Sequence, residues 1–297
     1  MISMPQKSLF LQALFLLQAS LVTFGARSIF PVEESPQKLT LLMERELRGC
    51  FDFFWEEWND DPKSPTYGMT NGDYIGIHNY VPLAIEEQGF YFAAIIIGVE
   101  RGWISREEGK KRIIITLKTL RNLKRINGFW YHFIDPYTGK RGWKDSHNIE
   151  LSNASAGTML LGALAAAEYF GGEIEKLTYE LYETMNWKWF TDPVTKHPYL
   201  ACYPEDLPKS VPYGINEAGM FGGWSAYSEH IFLYILAAGA PREEFSTGAD
   251  SYYAMKTYKG SYKGEEFIFC GSGAAFTYQW THAFIDFRNL RDKLDRN

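Results

Sequence analysis

Apolar residues recur at intervals of three and four along most of the chain, and the strict alternation of a half-buried strand is scarce. From Pro36, the positions Leu39, Leu42, Met43, Leu47, Cys50, Phe51, Phe54 and Trp58 form one helical stripe, with Ser35 as N-cap and Pro36 in the first turn. Cys50 reads there as a core residue. A loop rich in Gly, Pro and Asp, Asn59 to Tyr80, leads to a second helix through Phe90, Ala94, Ile95 and Val99 that stops at Gly102. Ser105 followed by Glu108 is a capping box for a third helix carrying Ile113, Ile114, Leu117 and Leu120. After an irregular stretch, Asn127 to Asn148, a small-residue helix is predicted from about Ser152 to Phe170, broken at Gly171-Gly172. The next helix passes through Ile174, Leu177, Leu181, Met185 and Trp189. A long loop, Thr191 to Gly222, precedes a helix over Tyr227 to Leu236, and a last helix is expected from Phe276 to Leu294.

Two connections are very short, at Gly102 to Ser105 and at Gly171-Gly172, while the others are long and carry aromatics and carboxylates. Helical hairpins packed side by side bury their stripes on one another and gather long loops at one end, so the rhythm predicts an all-α, α/α toroid. Loops of such length are more often functional than accidental.

Composition narrows the chemistry. In 297 residues, 46% are hydrophobic, enough for one large domain. The aromatic share is 16%, and flat rings of this kind stack on the C–H faces of sugars. A net charge of −6 argues against a nucleic-acid partner, which would need a basic surface. Lys7, the apolar run Ser8 to Phe24 and the small residues Gly25 and Ala26 have the order of a secretory signal, so residues 1–26 read as a signal peptide and 27–297 as a single helical domain, exported to the periplasm or beyond. No second apolar run of membrane length follows. Three cysteines match no zinc template, no His-Glu-x-x-His pair occurs, and no phosphate or dinucleotide loop is present, so neither metal nor cofactor is expected.

The segment Gly223 to His230 sets Trp224, Tyr227 and Glu229 at the mouth of a predicted helix. A Glu there also complements the helix dipole, so its placement alone is ambiguous. Four motifs in order settle the emphasis: Gly98 to Arg106, Tyr131 to Asp135 with Thr138-Gly139, Trp224 to Glu229, and Trp280 to Arg288. Together they resemble the glycoamylase-like domains, whose relatives include endo-β-1,2-glucanases and the middle domain of cyclic β-1,2-glucan synthases. The resemblance implies an (α/α)6 toroid, export or membrane association, and an inverting glycoside hydrolase acting on glucan. With about seven strong helices predicted, such a ring is expected to be incomplete at the C-terminus, which would expose apolar helix faces to a partner chain.

Glycoside hydrolysis needs two carboxyl groups flanking the scissile bond. Glu229 matches the family's acid in the Trp-x-x-Tyr-x-Glu pattern. Relatives carry the second acid just inside the helix after the Thr-Gly loop, where this chain reads Glu150-Leu-Ser-Asn-Ala-Ser155, so the expected acid position holds Ser155. A hydroxyl cannot replace a carboxylate in proton transfer at neutral pH. Glu150 or Asp145, in the same loop, are the candidates to supply the missing group. Each also has an ordinary reading, as an acid near a helix N-terminus or in a turn. Trp130, His132, Asp135, Arg141, Trp143, Trp224, Tyr227, Gln279 and His282 are the candidate sugar contacts, pairing aromatic faces with planar hydrogen-bonding groups. Asp286 and Arg288 read at least as well as a structural pair. Two other readings stay open, a non-catalytic glycan-binding relative that has lost one acid, and a structural helical protein in which the Trp and Tyr residues are core.

Overall fold

The computed structural model describes residues 36–72, 81–142, 149–205, 215–288 and 290–294. The segment read as a signal peptide, and the candidates Trp143 and Asp145, lie outside them. The described chain is mostly helical. Helix α1 (Pro36–Glu56) is followed by strand β1 (Leu83–Ala84), α2 (Ile85–Glu100), α3 (Arg106–Asn122) and β2 (Phe133–Ile134). Then come α4 (Asn153–Phe170), α5 (Gly172–Tyr182), β3 (Ala201–Cys202), β4 (Met220–Phe221) and α6 (Ile231–Ala238). The order ends with α7 (Gly248–Ala254), β5 (Tyr258–Tyr262), β6 (Glu265–Phe269) and the short α8 (Phe276–Gln279).

Three small antiparallel sheets, β1–β2, β3–β4 and β5–β6, correct the all-α expectation. They form because the long loops must satisfy backbone groups as they fold back over the helix ends.

Local chemistry sets the helix boundaries where it is strong. The Ser105 side chain accepts from the Glu108 N–H and the Glu108 carboxylate accepts from the Ser105 N–H, which is the predicted capping box of α3. Gly171, at φ +66°, ends α4 in a conformation that a side chain would strain. Elsewhere side chains stop helices early. The helix expected to reach Trp189 ends at Tyr182, and the Asn186 side chain accepts from the Trp189 N–H at 2.9 Å. The helix expected from Tyr227 begins only at Ile231, because Tyr227 N donates to Lys256 O and Lys256 N to Ser225 O, holding residues 225–227 extended. The last helix expected, Phe276 to Leu294, is reduced to four residues and a 3-10 turn, Thr281–Ala283. Past it, the Asp286 carboxylate accepts from the Arg288 N–H and guanidinium, a local pair that replaces helical bonding. Cys50, expected in the core, is exposed on α1, and all three cysteines are free thiols.

The core runs between α2 and α4, the most intimate helix pair. A Cβ built on Gly162 would lie 2.1 Å from the Gly89 carbonyl oxygen, and one on Gly89 would lie 2.2 Å from that of Thr158. Glycine is needed at both places for the backbones to touch. On the other side of α4, a Cβ on Gly157 would meet the Phe232 ring of α6 at 2.6 Å. Glu86 stands one turn before Gly89, Ser155 one turn before Thr158, and His230 just before α6. The three helices therefore run in the same direction and bring their N-terminal ends to one place, with α3 and α5 packed outside.

Candidate active site

A cavity of about 350 Å³ opens at those three helix ends. Its wall includes Glu86 from α2, His132 from the segment before β2, Glu150, Ser152, Ser155 and Thr158 from the start of α4, Tyr203 after β3, and Trp224, His230 and Trp280. Short strand segments fix the register. The β1–β2 pairing sets Leu83 opposite Ile134, and Ile85 N then donates to His132 O at 3.1 Å. His132 N in turn donates to Glu150 O at 2.9 Å. Backbone bonds thus seat the imidazole between two acidic residues distant in the chain.

The result is a carboxylate–imidazole–carboxylate bridge. His132 Nε2 is 2.8 Å from Glu86 Oε1, and His132 Nδ1 is 2.7 Å from Glu150 Oε1. Burial opposes the charged imidazole, but the two carboxylates outweigh it and push the His132 pKa up to about 10. His132 is a cation at neutral pH. The same contact, with help from the neighbouring Ser155 hydroxyl, overcomes the strong desolvation of Glu86 and holds its carboxyl below the usual range. His132 also stacks on Phe133, with ring centroids 4.0 Å apart.

His230 is the opposite case. Burial pulls its pKa down to about 4, against a weak opposing pull from Glu86, so the ring is neutral. Its centroid lies 3.9 Å from that of Trp224. Glu229 is largely covered, 17% exposed at the side chain, with Oε1 3.6 Å from His230 Nδ1. Because the imidazole is neutral, this contact is not an ion pair. Glu229 is not part of the cavity wall itself; its neighbour His230 is.

Of the other residues picked out in the sequence, Glu150, His132 and Trp224 line the cavity, whereas Trp130 does not. Trp130 is 1% exposed and its indole N–H donates to Leu120 O at 3.0 Å, so it is core and out of reach of a sugar. Tyr227 is likewise buried, in a second apolar cluster with Ile231, Tyr234, Met255 and Cys270, and packs on Tyr278. Asp135 spends its carboxylate on the turn that follows, accepting from the N–H groups of Tyr137 and Thr138 and from the Thr138 hydroxyl. Arg141 lies over the Tyr131 ring, 4.7 Å from its centroid. Gln279 and His282 are exposed beyond the cavity wall, with His282 against Phe287.

Glu86, Tyr203 and Trp280 are cavity residues that the sequence reading did not single out for binding or catalysis. Glu86-Glu87 passes for a pair of dipole-complementing acids in a first helical turn, so the local signal was present but ambiguous. Trp280 packs edge-on against Phe90, centroids 5.1 Å apart, and its N–H donates to Thr158 Oγ1 at 3.3 Å, closing the cavity over the α2–α4 crossing. Among the described residues no group of three His, Cys, Asp or Glu side chains is placed to hold a metal ion, and no helix is long and apolar enough to cross a membrane.

The family described as "Glycoamylase: Putative glucoamylase" matches residues 222–297. The exo beta-1,2-glucooligosaccharide sophorohydrolase (non-reducing end) of Parabacteroides distasonis is 26% identical over 288 residues, covering 85% of this chain and 37% of its own length. Among solved structures, the endo-beta-1,2-glucanase of Chitinophaga pinensis, in complex with sophorotriose and glucose, superposes with a TM-score of 0.62 at 20% identity, over 79% of this chain and 56% of its own. A beta-1,2-glucanase from Parabacteroides distasonis gives a TM-score of 0.56 at 25% identity, over 73% of this chain and 29% of its own. The chain thus spans little more than half the length of these proteins, or less. Motif order, a matched C-terminal segment and a shared fold make it a relative of the glycoamylase-like proteins.

Proposed function

We propose that the protein is an exported glycoside hydrolase acting on β-1,2-glucan or a related glucose polymer, and that its helix pairs are part of an (α/α)6 toroid. One observation carries this reading. The parallel ends of α2, α4 and α6 meet at a cavity where the Glu86 and Glu150 side chains, a cationic His132 and the rings of Trp224, Trp280 and Tyr203 face a common space. Aromatic faces suit the C–H surface of a pyranose and the charged bridge suits its hydroxyls. The names of the relatives point to the β-1,2 linkage.

In this reading Glu229, beside His230, protonates the departing glycosidic oxygen, and a second carboxylate at the cavity activates water on the opposite face of the sugar, inverting the anomeric centre. Beside Glu229 stands His230, neutral through burial, with Nδ1 3.6 Å from Glu229 Oε1.

Ser155 on the cavity wall favours a second reading, a glycan-binding relative without turnover. Release of reducing sugar from linear β-1,2-glucan by wild type and by Glu229→Gln separates the two. Turnover that falls about 10²- to 10⁴-fold in the variant supports Glu229 as acid. An unchanged rate removes it. No turnover, with a Trp fluorescence change on glucan addition, supports binding alone, and no response of either kind refutes both readings.

A further inference from the structure

We infer that Glu86 is the water-activating carboxylate of this site, reaching from α2 the space that a side chain at Ser155 would otherwise fill from α4. The inference rests on the hydrolytic reading above and names its second catalytic group.

The fold carries the argument. Gly89 and Gly162 let α2 and α4 touch, and Glu86 and Ser155 each stand one turn before that contact, facing each other across it. Both line the cavity. The Ser155 hydroxyl donates to Ser152 Oγ at 2.9 Å and lies beside the Glu86 carboxyl. The small Ser155 side chain leaves room for the longer glutamate beside it. A larger acid at 155 and a glutamate at 86 would compete for the same volume.

Glu86 is equipped for the task. One oxygen, Oε1, is fixed by His132, which sets the carboxylate's orientation. The other, Oε2, is buried and has no hydrogen-bond partner among the described residues. A buried carboxylate oxygen left without a donor is costly, and a water or sugar hydroxyl in the cavity would satisfy it. Glu150 has the same imidazole contact but on the far nitrogen, so His132 separates the two acids and holds Glu86 on the α2–α4 side.

The step balances without a further reactant. Glu86 takes a proton from water, the water oxygen bonds to the anomeric carbon as the glycosidic C–O bond breaks, and the leaving oxygen takes the proton held by Glu229. The products are two sugars, and exchange with solvent resets both carboxyl groups.

The test uses linear β-1,2-glucooligosaccharides. Glu86→Gln should lower kcat by about 10²-fold or more while oligosaccharide affinity, read by Trp fluorescence, changes only a few-fold. Ser155→Asp added to Glu86→Ala should restore at least about tenfold of the activity that Glu86→Ala loses, since the carboxylate returns from the other helix into the vacated volume. Glu86→Ala should be rescued by azide, giving a glycosyl azide of inverted configuration. Should Glu86→Gln fail to fold, Glu86→Asp keeps the charge against His132 and should still lose about tenfold in kcat. An active wild type with an active Glu86→Gln or unimpaired Glu86→Asp overturns the assignment of Glu86 alone. A loss of kcat rescued by neither azide nor Ser155→Asp overturns it too. A wild type inert on every oligosaccharide overturns the hydrolytic reading, and Glu86 with it.

Discussion

Replacing His132 by Asn removes the cation from between Glu86 and Glu150 and leaves two carboxylates at one site. Raising an imidazole from 6.5 to about 10 on folding sets a ceiling of about 5 kcal/mol on what its charge contributes. The side chain is 26% exposed, so solvent screens part of this, and a loss of about 3 kcal/mol at pH 7 is expected. For a chain of this size that corresponds to a Tm lower by roughly 6–12 °C. The pH dependence is more telling. The folded pKa of His132 lies above its unfolded value, so its stabilisation is complete below pH 6.5 and is lost as pH rises toward about 10. In the variant, the main offset to the burial of Glu86 is gone and its pKa must rise, so protonation relieves the variant as the solution becomes acidic. The deficit should therefore peak near neutrality and shrink on both sides. Urea unfolding followed by Trp fluorescence at pH 5, 7 and 9.5 measures it. A deficit below about 0.5 kcal/mol at pH 7, or one that is flat across this range, would refute the charged bridge.

Two further substitutions test the framework around the bridge. Gly162→Ala drives a methyl to 2.1 Å from the Gly89 carbonyl, so α2 and α4 must separate, and a destabilisation of about 1–3 kcal/mol or more should appear in thermal unfolding. A Tm equal to wild type would mean the helices do not approach so closely. Trp224→Ala strips a ring from the cavity wall and should weaken oligosaccharide affinity by about tenfold, in line with the worth of an aromatic face, with kcat less affected. Unchanged affinity in a fluorescence or calorimetric titration would exclude Trp224 from the sugar.

What the sequence made legible was what neighbouring residues decide. The Ser105–Glu108 box and the Gly171 break need only a few residues each, and both fall where expected. The family motifs survive as cavity parts in Trp224 and Trp280. Glu86 was hidden because its meaning depends on His132, 46 residues away, and on a glycine contact between helices that no periodicity reports. Trp130 misled for the converse reason. In an irregular stretch, residue type alone cannot separate a ring that faces a cavity from one that donates to Leu120 O in the core. The C-terminal helix failed because apolar spacing persists through Phe284 and Phe287 while Asp286 satisfies the backbone locally.

The bridge through His132 also bears on how the chain reaches its native state. Its three members come from the start of α2, the segment before β2 and the approach to α4, and two strand pairings must be in register before the imidazole can bond both acids. Contacts so distant in sequence form only after their loop-closure entropy has been met, whereas α3 and α4 can form from local interactions. The cavity should therefore gain hydrogen-exchange protection during refolding later than the interiors of α3 and α4.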